Sequence, residues 1–215
     1  MPKVEIKMKP DLEVIKGEPI PHILEPGEVG AVLEWVVKEK DGNITRQGQK
    51  KSESFIRQFI EALFIYFSGQ SDLLSIPVKC TDNLTRYFYP TYPGLNVSAG
   101  VGADTWGIRI GTGSTAPTIN DYNVEAGIAH ATMNHGAVTF GLPASDASTS
   151  QFTVTRDFSN VSGGVVTVNE IALIALLYKA QTSYTVMIIR DVISGGISVP
   201  NGQTLTINYR IQVTI

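Results

Sequence analysis

The stretch "TLTINYRIQVTI", residues 204–215, decides the fold class because polar and apolar residues alternate along its whole length. One set of side chains is apolar or aromatic: Leu205, Ile207, Tyr209, Ile211, Val213 and Ile215. The intervening residues are polar throughout. A period of two places the two sets on opposite faces of an extended strand. The stretch therefore predicts an antiparallel strand with one dry face and one wet face.

Three segments with strand patterns precede it: "QFTVTRDF" at 151–158, "VVTVNEIALIALLY" at 165–178 and "YTVMIIRDV" at 184–192. In the first segment, Phe152, Val154, Arg156 and Phe158 alternate with polar residues. Turn sequences separate the segments, and no helical pattern lies between them. This arrangement predicts a mainly β protein, specifically an antiparallel β-sandwich of the jelly-roll kind.

Residues 1–50 predict an extended N-terminal arm that contains a short hairpin. Five prolines in the first 26 residues oppose helix formation and interrupt sheet ladders. The hairpin covers 31–48, with its turn at Asp41 and Gly42. The pattern leaves open whether these strands join the main sheet. The predicted organisation is therefore an arm at 1–50, a helix at 51–70 and a β-sandwich domain at 71–215.

The sequence "KSESFIRQFIEALFIYFSG", residues 51–69, predicts the one helix. Ser52 or Ser54 is a suitable N-cap, and Gly69 suits the left-handed position after the last turn. From Ala62 to Phe67 the helix is apolar on all sides. We therefore expect it to be buried against a sheet or a neighbouring subunit.

Composition argues against several classes of partner. The 215 residues carry a formal charge of −3, from 17 basic and 20 acidic side chains. This balance gives no reason to expect a nucleic-acid partner or an anionic membrane surface. The N-terminus lacks the apolar core of a signal peptide, and the most apolar segment, 55–67, is too short to span a bilayer. We expect synthesis in a host cytoplasm.

The glycine-rich loop in "GIRIGTGSTAPTINDYNVE", residues 107–125, does not fit a phosphate-binding site. A P-loop needs Lys followed by Ser or Thr after its last glycine, whereas Ser114 and Thr115 follow Gly113 here. We interpret the loop as a turn in which Gly111 and Gly113 supply backbone conformations that other residues resist.

No other residue suggests catalysis, a metal or a cofactor. Cys80 is the single cysteine and is expected to be a buried structural side chain. His130 and His135 would lie on opposite faces of an extended strand, and a surface or loop role is expected for them rather than zinc binding. His22 lies in the arm. The Ser-Gly-Gly triplets at 162 and 194 lack the frame of a nucleophile elbow.

Three segments, 107–125, 152–173 and 187–215, resemble virion structural proteins of tailed bacteriophages and related viruses. They hold a GTG loop ending in Asp121-Tyr122, a "TVTRDF…TVNEIAL" hairpin and a closing "RDV…VPNGQTLTINY" strand pair. The "SESFIRQF" helix is also similar. The chain departs from the family pattern after Glu170, where "IALIALLYKAQTSY" is more apolar than the usual strand end. The motifs are turns and strands, so the resemblance implies a structural particle component and no catalytic residues.

The leading hypothesis is a capsid decoration or cement protein that acts by binding alone, as a homo-oligomer and specifically a trimer, in contact with a major capsid protein. A tail, baseplate or fibre component is the alternative. A further alternative is a carbohydrate-binding module for host attachment, with a stacking platform built from Tyr87, Phe88, Tyr89, Tyr92 and Trp106. An enzyme is the weakest hypothesis, because no pair of carboxylates is singled out.

Overall fold

The structure is a computed structural model that describes residues 12–13, 24–52, 55–68, 77–88, 94–179 and 181–215. Residues 1–11 and 14–23 of the predicted arm, including His22, lie outside the described residues. The described chain folds into one helix, α1 (Arg57–Ser68), and these strands: β1 (Leu12–Glu13), β2 (Val29–Lys38), β3 (Ile44–Ser52), β4 (Pro77–Lys79), β5 (Thr85–Tyr87), β6 (Gly107–Gly111), β7 (Met133–His135), β8 (Thr139–Phe140), β9 (Ala144–Ser145), β10 (Thr149–Asn160), β11 (Val166–Lys179), β12 (Thr182–Val199) and β13 (Thr204–Thr214).

The strands form a large sheet, a smaller sheet and a two-stranded ladder, all antiparallel. The large sheet has the order β1-β3-β2-β13-β10-β7, and β8 and β9 also pair with β10. The smaller sheet has the order β12-β11-β6, and β4 pairs with β5. The main hydrophobic core contains side chains from both larger sheets, such as Leu33 and Tyr209 from one and Ile171 and Ile189 from the other. The prediction of a mainly β, antiparallel protein is confirmed.

The hairpin of β2 and β3 belongs to the large sheet, which answers the question that its sequence left open. Strand β2 pairs with β13 from Val29 opposite Val213 to Lys38 opposite Thr204. The predicted turn is present, with Gly42 at φ +88°. On its other side β13 pairs with β10 over eleven residue pairs. The strand with the clearest alternation is therefore central in this sheet.

Near the C-terminus of β13, the apolar side chains of the alternating pattern are no longer the buried ones. Leu205, Ile207 and Tyr209 are buried as predicted, but Val213 and Ile215 are 38% and 78% exposed. Thr214, predicted to be on the wet face, is buried. On the outer face, Leu24 is buried against Gly30, since a Cβ at Gly30 would lie 3.3 Å from Leu24 Cδ2. The Gly27 amide donates to the Thr214 carbonyl at 2.7 Å, which extends the pairing of β13 at this end.

The helix begins later than the sequence predicted. Ser52 is the last residue of β3, and its hydroxyl donates to Asp191 Oδ2 at 2.8 Å, so the prediction of Ser52 as N-cap is wrong. Phe55 forms a bridge with Ile189, and the Ile56 amide donates to the Ile188 carbonyl. Pairing with β12 therefore holds this segment extended up to Arg57. Ser54 and Gly69 lie outside the described residues.

Only one face of α1 is buried within the chain. Gln58, Ala62 and Ile65 face the protein. The opposite face carries Ile60, Phe64 and Phe67, which are 62%, 46% and 85% exposed. We name these three residues the helix stripe. The helix packs against the smaller sheet through one face, as expected, and the helix stripe is left exposed in the single chain. Within the described part of the sequence, no helix has the length and apolarity to cross a membrane.

A buried guanidinium joins the large sheet to the loop before β6. Arg156, in β10, is fully buried and donates hydrogen bonds to five backbone carbonyls. The acceptors are Gly136 at 2.8 Å, Ile108 at 2.8 Å, Trp106 at 3.2 Å, Gly100 at 3.3 Å and Ala103 at 2.5 Å. Burial, reinforced by the positive charge of Arg109, lowers the pKa of Arg156 to about 10, so the side chain stays charged at neutral pH.

Replacing this guanidinium should destabilise the protein strongly. In Arg156→Leu, five buried carbonyls lose their donor, and we expect the free energy of unfolding to fall by about 3–5 kcal/mol. Chemical denaturation monitored by tryptophan fluorescence measures the change. Arg46 is exposed, so Arg46→Leu is the matched control and should change stability by less than about 0.5 kcal/mol. Equal effects in the two variants would contradict the anchoring role.

Candidate functional site

The loop after β6 surrounds a carboxylate of the protein itself. Glu170, in β11, is fully buried beneath this loop. The Glu125 amide donates to Glu170 Oε1 at 2.8 Å, and the Ala126 amide donates to Oε2 at 3.4 Å. The Asn169 side chain also donates to the Thr112 carbonyl at 3.0 Å. The anion that the amides of this glycine-rich loop bind is therefore a carboxylate of the same chain, that of Glu170.

The two loop glycines are required because a side chain would not fit. A Cβ at Gly111 would lie 2.5 Å from Glu170 Oε2 and 2.8 Å from the Ala126 carbonyl oxygen. A Cβ at Gly113 would lie 2.6 Å from Glu125 Cβ and 2.7 Å from Glu170 Oε2. Neither residue is among the glycines with positive φ. The expectation that they supply unusual backbone conformations is wrong, because close approach is what requires glycine here.

Arg190, in β12, connects Glu170 to two further carboxylates. Its Nε donates to Glu170 Oε1 at 2.6 Å, and its Nη1 donates to Asp121 Oδ2 at 2.7 Å. Its Nη2 lies 3.5 Å from Glu125 Oε2. We name Glu170, Arg190, Asp121 and Glu125 the ionic cluster. It unites residues from all three segments that resemble virion proteins, which sequence reasoning had left as separate turn and strand motifs.

Local hydrogen bonds set the charge state of the outer carboxylates. Burial acts to raise the pKa of Asp121, but hydrogen bonds from Thr118 and the Arg190 guanidinium lower the pKa overall. The Thr115 amide and hydroxyl, followed by Arg190, lower the pKa of Glu125. For Arg190, burial favours a lower pKa, yet Glu170 and Asp121 raise it overall. On balance these shifts favour the ionised forms of Asp121, Glu125 and Arg190.

An open cavity of about 570 Å³ lies beside the ionic cluster, and Asp121, Glu125 and Arg190 are part of its wall. Its remaining lining is mostly polar and comes from the loops around residues 81–83, 115 and 120–124. The Thr118 hydroxyl donates to Asp121 at 2.7 Å, and the Thr115 hydroxyl donates to Glu125 at 2.8 Å. These carboxylates are therefore engaged in holding the loops, and the arrangement acts as a clamp between loop and sheet.

The other candidates from the sequence have structural surroundings. Cys80 is 1% exposed, as predicted, and burial raises the pKa of its thiol. His130 and His135 lie together, with ring centroids 5.7 Å apart, because His130 is in a turn and not on the strand. His130 Nδ1 accepts a hydrogen bond from the His135 amide at 2.8 Å. The expectation of opposite faces is therefore wrong.

His135 is 1% exposed, so the expected surface or loop role is wrong for this residue. Burial, together with the charge of Arg156, lowers the pKa of His135 to about 4. The imidazole is therefore neutral under physiological conditions. In the described part of the chain, no three His, Cys, Asp or Glu side chains are grouped as ligands for a metal ion.

The aromatic residues proposed for sugar stacking do not form a shared exposed surface among those described. Phe88 is 2% exposed and packs in a second core cluster, beneath α1. Trp106 is partly buried against the main core. Tyr87 is 47% exposed. Tyr89 and Tyr92 lie outside the described residues.

Exposed apolar surfaces stand out more than any chemical group. One is the helix stripe. The other is the end of the inner face of the large sheet, where Val29, Phe152 and Val213 are 77%, 39% and 38% exposed. We name this region the inner-face end. Sequence reasoning missed it because alternation identifies the apolar face of a strand but not how far a second sheet covers that face.

Comparison with known proteins identifies no relative of the chain. No family model, no curated protein and no solved structure matches the chain.

The requirement for glycine at position 111 is testable by one added methyl group. In Gly111→Ala the new Cβ meets a backbone carbonyl that cannot rotate away, so we expect a loss of about 1–3 kcal/mol in the free energy of unfolding. A Cβ at Gly164 would meet nothing within 4 Å, which makes Gly164→Ala the control. Thermal unfolding followed by circular dichroism compares them. A Gly111→Ala variant as stable as Gly164→Ala would refute the packing argument.

The ionic cluster predicts a loss of stability in acid. A carboxylate with a lowered folded-state pKa contributes stability above its unfolded pKa, and this contribution is lost as the pH falls through the folded pKa. The ordinary value for Asp121 is 3.8. The stability difference between the wild type and Asp121→Asn should therefore be constant near neutral pH and shrink below about pH 4. Urea unfolding at pH 7 to 3 measures it.

Glu39 is exposed and outside the ionic cluster, so Glu39→Gln serves as the control for the pH series. We expect the stability of this variant to follow the wild type at every pH. A difference between wild type and Asp121→Asn that does not change with pH would show that ionisation of Asp121 contributes nothing to folding.

Proposed function

We propose that this protein is a virion structural protein, specifically a capsid decoration or cement protein that stabilises a shell by protein–protein contacts. It acts as a homo-oligomer and binds the major capsid protein. The observation that carries the proposal is the helix stripe, because three large apolar side chains on one helical face remain exposed in the single chain. Patches of this kind mark contact sites with other proteins.

Three further features support the proposal. The GTG loop, the hairpin and the closing strand pair resemble virion proteins, and their residues Asp121, Glu170 and Arg190 meet in one ionic cluster. The carboxylates of that cluster are engaged in holding loops. The two larger sheets share a hydrophobic core, and we propose that they form a β-sandwich body of the jelly-roll kind. A rigid body that carries apolar contact surfaces suits a component that binds and does not react.

In this role the helix stripe contacts the shell. Ile60, Phe64 and Phe67 occupy positions i, i+4 and i+7, so they form a ridge along the helix. The chain buries the opposite helix face against β12, and the Gln58 side chain donates to the Asp121 carbonyl at 3.0 Å. The ridge is therefore held in a fixed position, which lowers the entropy lost on binding.

The direct test is binding of the purified protein to particles of the virus that encodes it, prepared without this protein. Co-sedimentation with isolated capsids and, separately, with isolated tails gives the answer. Binding to capsids supports the proposal. Binding to tails alone would replace it with a tail or baseplate role, and binding to neither would refute it.

The helix stripe predicts which residues this binding needs. We expect Phe64→Ser with Phe67→Ser to weaken particle binding at least tenfold, because each loses an apolar contact worth roughly 1–3 kcal/mol. Leu84 is 57% exposed and lies in the β4–β5 turn, not on the helix, so Leu84→Ser is the matched control. Unchanged binding by the helix variant would show that this face does not contact the particle.

A further inference from the structure

The inner face of the large sheet continues beyond the part that the shared core covers. Val154, Tyr209 and Leu33 form one cross-strand row, and all three are buried. The next row contains Phe152, Ile211 and Ala31, and the row after it contains Ser150, Val213 and Val29. In the second row Ala31 is still fully buried and Ile211 is half-buried against the main core, whereas Phe152 is 39% exposed. In the third row Val213 and Val29 are 38% and 77% exposed.

Neighbouring residues extend this surface. Ile215 continues the alternation of β13 and is 78% exposed. Phe140 pairs with Val154 at the margin of the sheet and is 50% exposed. The remaining members of the outer two rows are serine, alanine and isoleucine, so these rows carry no charged residue. The inner-face end, with Phe140 and Ile215, is therefore a continuous apolar and uncharged surface.

We infer that this surface packs against the same surface of a second copy of the chain, around a two-fold axis. The inference rests on the proposed role as an oligomeric particle component and specifies one of its self-contacts. A two-fold contact requires a surface that complements itself. An uncharged apolar sheet face meets this requirement, because two such faces stack about 10 Å apart with no like charges opposed.

The exposed apolar area of this surface is large enough for a contact with a second copy of the chain. At roughly 150–200 Å² for each side chain, the lower part of the range for aromatic residues, the exposed fractions of Val29, Phe140, Phe152, Val213 and Ile215 amount to roughly 400–550 Å². A stable interface buries about 800 Å² on each partner, of which about 60% is apolar. The surface therefore supplies the apolar share of one standard interface, and its polar margin can supply the rest.

The edge strands of the large sheet are poorly suited to pairing with a second copy of the chain. On one side β7, β8 and β9 have two or three residues each. On the other side β1 pairs with two residues of β3, and the rest of β3 carries Arg46, Lys50 and Lys51, charged side chains that disfavour edge pairing. Short edge strands limit pairing between sheets of different molecules. Association through the face is the better-supported mode for this sheet.

The test is the mass of the purified full chain, measured by light scattering over a range of concentrations. We expect a dimer, and we expect Phe152→Thr with Val213→Thr to raise the dimer dissociation constant about 100-fold. Threonine keeps the β propensity of the strands, and circular dichroism checks folding. Val29→Thr alone, at the most exposed of the three sites, should still weaken the dimer. Phe67→Ser is the matched control and should leave the dimer intact.

A second measurement reports on the surface itself. A thiol in Val29→Cys should react slowly with a maleimide in the dimer and quickly in the Phe152→Thr, Val213→Thr background, whereas Phe67→Cys should react quickly in both. Cys80 is buried, so the wild type gives the background rate. Protection of Val29→Cys in a monomer would mean that the same chain covers the surface, and would overturn the inference.

Two further outcomes separate this inference from the proposed function. A monomer at all concentrations, or the trimer expected from the sequence, would overturn the two-fold contact. If such a protein still binds capsids through the helix stripe, the proposed function stands and only the self-contact falls.

Discussion

The ion pair between Glu170 and Arg190 is the interaction on which the conformation of the loop after β6 depends. Both side chains are almost fully buried, and their shortest contact is 2.6 Å. The pair joins neighbouring strands of the smaller sheet. The Arg190 guanidinium also contacts Asp121 and Glu125, and the Glu170 carboxylate accepts hydrogen bonds from the amides of Glu125 and Ala126. A buried ion pair adds little net stability, but the loss of one partner leaves an uncompensated buried charge. The pair therefore specifies one arrangement of the loop more than it strengthens the fold.

Arg156 also fixes the conformation of irregular segments, but it does so through hydrogen bonds to backbone carbonyls and not through an ion pair. Its five acceptors are neutral carbonyls in the segments 100–108 and 136. A backbone that turns through a region without regular structure has carbonyls that need donors. One guanidinium with five N–H groups satisfies several of them at once. Two buried arginines thus order the long irregular connections between the strands, where sheet hydrogen bonds are absent.

The sequence predicted local features well and long-range ones poorly. The alternation of 204–215, the turn at Gly42 and the buried Cys80 follow from local patterns, and the structure contains them. The meeting of Asp121, Glu170 and Arg190 could not be predicted, because the contact joins residues up to 69 positions apart. A signal was nevertheless present, since Glu170 and Arg190 interrupt apolar strand sequences where a charge needs a partner. The N-cap at Ser52 failed because sheet pairing by residues 55 and 56 overrode local helix signals.

The same reasoning explains why an apolar surface remains at the end of the large sheet. Val154 and Tyr209 are buried in the core that the two larger sheets share, whereas Phe152 and Val213, further along the same faces of β10 and β13, are 39% and 38% exposed. The alternation of β13 continues into this region, where Val213 and Ile215 are not buried by the described part of the chain. Leu24 is buried against Gly30 on the outer face, whereas Val29, Val213 and Ile215 on the inner face are exposed. A pattern that extends beyond its own core implies that burial is completed by another molecule, and the self-complementary, uncharged character of this face makes a second copy the simplest one.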